Sequence, residues 1–104
     1  MENVGQLIRR TREKKELLLR HAAAQADIDQ AILSKIERGE RKASKDQIIR
    51  LAKVLGLDQD KLLIEYISDK IAYELVNEDV AAKALKVAER KITYFKKQNN
   101  AQKI

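Results

Sequence analysis

The chain has no cysteine, no proline and only three glycines in 104 residues. Without cysteine it forms no disulfides and offers no thiolate metal ligands. Without proline, and with Leu, Ala, Lys, Glu, Gln and Arg abundant, nearly every position favours helix, so an all-α fold is expected. Histidine occurs once, at His21, with no acidic cluster at ligand spacing; it reads as a surface or packing residue, and no metal is expected. No Ser-His-Asp arrangement, carboxylate pair or glycine-rich phosphate loop is recognisable, so neither catalysis nor a cofactor is expected. The opening "MENVGQLIRR" lacks the apolar core of a signal peptide, and no apolar run approaches a membrane span. A soluble, cytoplasmic protein follows as the expectation.

What is present narrows the field. A hydrophobic fraction of 44% is enough for a packed core. The length suits one domain, or one domain with an appendage. The net charge of +6 is unevenly spread. Residues 1–57 carry 13 Lys/Arg against 8 Asp/Glu, residues 58–89 carry 4 against 8, and residues 90–104 carry 5 against none. A basic N-terminal half suits a polyanion such as nucleic acid, although an ordinary solvated surface would look the same by charge alone.

Punctuation divides the chain into helices. Asn3 with Gln6 forms a capping-box pattern that opens the first. Leu17 to Ala26 reads as a second, alanine-rich helix, and Gln30 to Arg38 as a third, capped by Asp29 and stopped by Gly39. Ser44 with Gln47 opens a fourth that ends at Gly56. A fifth starts after Asp58 and runs as far as Val76, with a stripe of Leu63, Ile64, Ile67, Ile71 and Leu75. A sixth is expected from an Asn77 cap to Lys97, with Ala81, Ala84, Leu85, Ala88, Ile92 and Phe95 in one stripe. Tyr66, Tyr73, Tyr94 and Phe95 lie on helical stripes, which favours core or interface over base stacking.

The second and third helices are joined by the short turn "ADID", the arrangement of a helix-turn-helix, whose second helix enters a DNA major groove. That groove is about 12 Å wide and admits one helix with its side chains. Leu33 and Ile36 would face inward, with Ile32 part-buried, leaving Gln30, Ala31, Ser34 and Lys35 outward.

With "LIRRTRE" in the first helix, Ala23 in the second, "SKIERGERKAS" after the turn and "LAKVLGL" closing the fourth, the sequence resembles the Cro/lambda-repressor-like, or XRE-like, helix-turn-helix family over about residues 4–63. The resemblance implies a five-helix DNA-binding domain. It places Gln30, Ala31, Ser34 and Lys35 where the family touches base edges, and Arg38, Arg41 and Lys42 where it holds phosphates. It also pairs Arg12 with Glu37 as a structural ion pair. Leu18 and Leu19 stand where the family usually has a polar Ser-Gln pair, so Arg20 or a backbone N–H would supply that phosphate contact. Asp27 replaces a common turn glycine, and Ala31 replaces a frequently polar reader.

The expected organisation is therefore a DNA-binding domain over 1–66, a C-terminal helical hairpin or extension over 67–97, and a flexible tail over 98–104. The expected function is a sequence-specific transcriptional regulator, a repressor acting as a homodimer on a palindromic operator in double-stranded DNA. Ile67, Ile71, Leu75, Leu85, Ala88, Ile92 and Phe95 are the candidate dimer interface. The alternative is an antitoxin-like or adaptor protein whose C-terminal helices bind a protein partner. Binding of Arg90 to Lys97 to an anionic membrane is the weaker reading.

Overall fold

The computed structural model describes residues 1–102, of which 101 and 102 are described by their backbone alone, and this span forms six α-helices. They are α1 (Val4–Lys14), α2 (Leu19–Ala26), α3 (Gln30–Glu37), α4 (Lys45–Leu55), α5 (Gln59–Leu75) and α6 (Ala81–Gln102). The all-α expectation holds. The chain divides into two compact units, Met1–Ile71 and the residues from Ala72 onward.

Local chemistry sets the ends of the first four helices. The Asn3 side chain accepts from the Gln6 N–H at 2.9 Å, and the Gln6 side chain accepts from the Asn3 N–H at 2.9 Å. A further free N–H at this end, that of Val4, donates to the Asp69 carboxylate of α5 at 2.8 Å. A negative group at a helix N-terminus also meets the positive end of its dipole. Ser44 and Gln47 form the same reciprocal cap on α4, and Gly56 ends that helix at φ 66°, a left-handed conformation suited to glycine. Residue Leu18 provides no side-chain cap for α2, which begins at Leu19, two residues later than its alanine-rich pattern suggests.

Within the first unit α2 packs on α3 and α4, and α1 packs on the same two helices. The alanines Ala22, Ala23 and Ala26 form the buried side of α2, whose small side chains allow close helix approach. Around them Ile8, Leu33, Ile48, Leu51, Leu55 and Leu62 are fully buried. Each such side chain contributes roughly 1.5–3 kcal/mol of hydrophobic stabilisation. Gly5 has a specific packing role: a Cβ there would collide with the carbonyl oxygen of Ile36. Only glycine lets α1 cross so near the end of α3.

Helix α5 contributes Leu62 and Tyr66 to the core, and no later residue of it is buried. In the second unit, Asn77 does not act as a cap. It lies in a turn where the Glu78 N–H donates to Leu75 O and the Ala84 N–H to Val80 O, so α6 begins at Ala81. The helix continues past Lys97 to Gln102, so residues 98–102 of the expected tail are helical, and residues 103 and 104 lie outside the described residues. Among the described residues no helix is long and apolar enough to cross a membrane.

Candidate nucleic-acid interface

The turn between α2 and α3 places an L-residue in an unusual conformation. Asp27 adopts φ 53°, ψ 51°, the left-handed region that aspartate tolerates better than most side chains. The Ile28 N–H closes back on Ala23 O at 2.9 Å, and Arg50 from α4 donates through Nη1 to Ala26 O at 2.8 Å and to Asp27 O at 2.9 Å. A cation thus satisfies carbonyls at the negative end of α2. Its Nε lies 3.2 Å from an Asp46 oxygen, near enough for an ion pair but without hydrogen-bond alignment. Periodicity carries no trace of Arg50's role, because its partners are more than twenty residues away.

The turn aims α3. Asp29 caps it by accepting from the Ile32 N–H at 3.1 Å, while Leu33 and Ile36 anchor its inner side in the core. On the outer side Gln30, Ala31 and Lys35 are exposed and Ser34 is half-buried. Leu19, Asp29, Gln30, Ala31 and Ser34 line one shallow, open concavity. The Ser34 hydroxyl accepts a hydrogen bond from Arg38 Nη1 at 2.9 Å. A guanidinium only donates, so the Ser34 O–H hydrogen stays free to donate outward.

Gly39 follows at φ 76° and turns the chain away from the helix end. Arg41 and Lys42 then stand exposed, and among the described residues neither makes a hydrogen bond or ion pair within the chain. The loop is tied down behind them. Ala43 is buried, and its carbonyl accepts from the Tyr66 hydroxyl at 2.7 Å. Arg38 differs from its two neighbours: Nε and Nη2 each lie 3.1 Å from a Glu40 oxygen. Arg20, in the first turn of α2, is exposed, as is Leu18 before it. Arg20, Arg38, Arg41 and Lys42 are thus all exposed, as are Gln30, Ala31 and Lys35.

One buried ion pair ties α1 to the end of α3. Arg12 donates through Nε and Nη2 to the two oxygens of Glu37 at 2.8 and 3.0 Å, and through Nη1 to Leu17 O at 2.9 Å. Its side chain is 12% exposed and that of Glu37 only 4%. The bond to Glu37 raises the Arg12 pKa above its usual value, with burial acting in the opposite sense. Their mutual attraction and hydrogen bonds offset what burying the two charges costs. Among the described residues no group of His, Cys, Asp and Glu could hold a metal ion, and His21 is exposed.

A family described as a helix-turn-helix domain matches residues 3–63, more than half of the chain. The chain belongs to the XRE-like helix-turn-helix family. Among solved structures, the helix-turn-helix chain is similar to the clp gene regulator ClgR from Corynebacterium glutamicum, at 27% identity and a TM-score of 0.56, over 82% of this chain and 88% of that one. It shares its fold with a chain of the SinR protein/SinI protein complex, at 23% identity and a TM-score of 0.55, over 90% and 98% of the two chains. No curated protein matches it. Family and fold are those of DNA-binding regulators, not of enzymes.

The candidate dimer residues of this helix-turn-helix protein lie outside the core. Ile67, Ile71, Leu85, Ile92 and Phe95 are exposed, and Leu75 and Ala88 are half-buried. Tyr73 and Tyr94, expected in core or interface, are exposed, and so are Val76, Val80 and Val87, which the stripes leave out. Val76 and Val80 lie in the turn before α6, where no helical stripe runs.

Proposed function

We propose that the protein is a sequence-specific transcriptional regulator that binds a palindromic operator as a homodimer and represses from it. Helix α3 lies in the major groove. Gln30, Ala31, Ser34 and Lys35 meet base edges, while Arg20, Arg38, Arg41 and Lys42 meet phosphates. The observation that carries this reading is the outward row of α3 followed by Arg41 and Lys42, unpaired among the described residues, on a loop held by Gly39 and the Tyr66–Ala43 bond. One reading helix covers only a few base pairs. Two-fold pairing sets two of them about 34 Å apart on successive major grooves, and the exposed apolar residues of 67–97 supply a surface for that pairing.

Selection of bound duplexes from a random pool tests this directly. Two inverted half-sites with centres about one helical turn apart are expected. A pool that never converges would overturn the reading. Convergence only when a second protein is added would favour the antitoxin-like or adaptor alternative, in which 67–97 binds a protein partner.

A further inference from the structure

The C-terminal third of the chain is divided by charge. Residues 58–79 carry seven acidic and two basic side chains, net −5, and residues 81–102 carry six basic and one acidic, net +5. Each segment also bears an uncovered apolar stripe. On α5, Ile64, Ile67 and Ile71 are exposed, and on α6 so are Leu85, Ile92 and Phe95. Helical geometry puts Lys91 and Lys96 on opposite flanks of the α6 stripe, and puts Glu74 one turn beyond Ile71. The apolar stripe widens near the start of α6, where Val80, Ala84, Val87 and Ala88, with Lys83 and Lys91, line an open groove.

We propose that the α5 stripe is covered by α6 of a second copy of this chain, each copy's basic α6 lying along the other's acidic 58–79 segment. The proposal rests on the dimer reading above and adds which surfaces meet. Pairing α6 with α6 would oppose +5 to +5, and pairing 58–79 with itself would oppose −5 to −5. Among pairings between two copies, only the crossed arrangement joins opposite signs, and like charges set face to face select against the others. Helix α6, at 22 residues about 33 Å long, is long enough to span α5, at 17 residues about 25 Å.

The test uses two full-length variants, Lys91→Glu/Lys96→Glu and Glu65→Lys/Glu74→Lys. All four residues are exposed and, among the described residues, none makes a side-chain hydrogen bond or ion pair. Sedimentation equilibrium at low salt should show each variant dimerising about tenfold or more weakly than wild type. A one-to-one mixture should regain wild-type association, because both crossed contacts are then complementary. That recovery should fade near 1 M salt, where screening reaches about 3 Å. Circular dichroism checks that both variants keep their helix content. If either does not, Lys91→Glu and Glu74→Lys alone are mixed in the same way.

A mixture no stronger than its parts would overturn the crossed pairing, placing α6 on its own chain or on another protein. Tighter association of the α6 variant with wild type than of wild type with itself would overturn it in favour of α6 against α6. A wild type monomeric at micromolar concentration would defeat the dimer reading itself, which separates the two failures.

Discussion

Arg12 on α1 and Glu37 at the end of α3 meet through two parallel hydrogen bonds of 2.8 and 3.0 Å, twenty-five residues apart in the chain. The pair ties α1 to the end of α3, which Leu33 and Ile36 also anchor in the core. Removing one partner strands a buried charge. Glu37→Ala should cost about 3 kcal/mol and lower Tm by more than about 10 °C. A thermal melt at wild-type temperature would show that the pair holds nothing.

Gly5→Ala separates packing from helix propensity. Alanine is the better helix former by about 0.8–1.0 kcal/mol, so propensity alone makes this variant more stable. The new Cβ meets a backbone carbonyl, that of Ile36, which cannot rotate away. A net loss of about 1–3 kcal/mol is expected in chemical denaturation, with weaker DNA binding as α3 is displaced. A stabilised variant would contradict the close crossing of α1 and α3.

Most of the helices were legible in the sequence because their signals are local. Asn3 with Gln6, Ser44 with Gln47, Asp29 and Gly56 all act within four residues, as the hydrogen bonds they make confirm. The contacts that position the interface are of another kind. Tyr66 reaches Ala43, Arg50 reaches Ala26 and Asp27, and Asp69 reaches the Val4 N–H across 65 residues. No periodicity encodes such pairs, since each becomes adjacent only after the helices have packed. Asn77 misled for a related reason: a good capping residue caps only if the next residues turn helical, and Val76–Val80 forms a turn instead. Left-handed Glu16, at φ 55°, carries no sequence mark of the kind a glycine would leave.

Arg38 cannot hold a phosphate and Glu40 with the same guanidinium edge. Both Glu40 contacts are 3.1 Å long and half-exposed, so approaching DNA competes with the carboxylate for Nε and Nη2. Glu40→Gln should tighten binding to every duplex by severalfold, on the order of one screened charge contact. It should also steepen the fall of log K with log salt by up to about 0.9 per protomer. Unchanged affinity and slope would mean that Arg38 makes no phosphate contact.

The division of labour on the binding face is tested most directly by measuring Lys35→Ala and Arg41→Ala on a selected operator and on a random duplex at the same salt. Lys35→Ala should weaken the operator complex by about 1–3 kcal/mol, relax discrimination at one base pair per half-site, and leave random-duplex binding nearly unchanged. Arg41→Ala should weaken both complexes about equally, because a phosphate is the same in every sequence. Equal losses on both duplexes from both substitutions would contradict α3 as the reading helix.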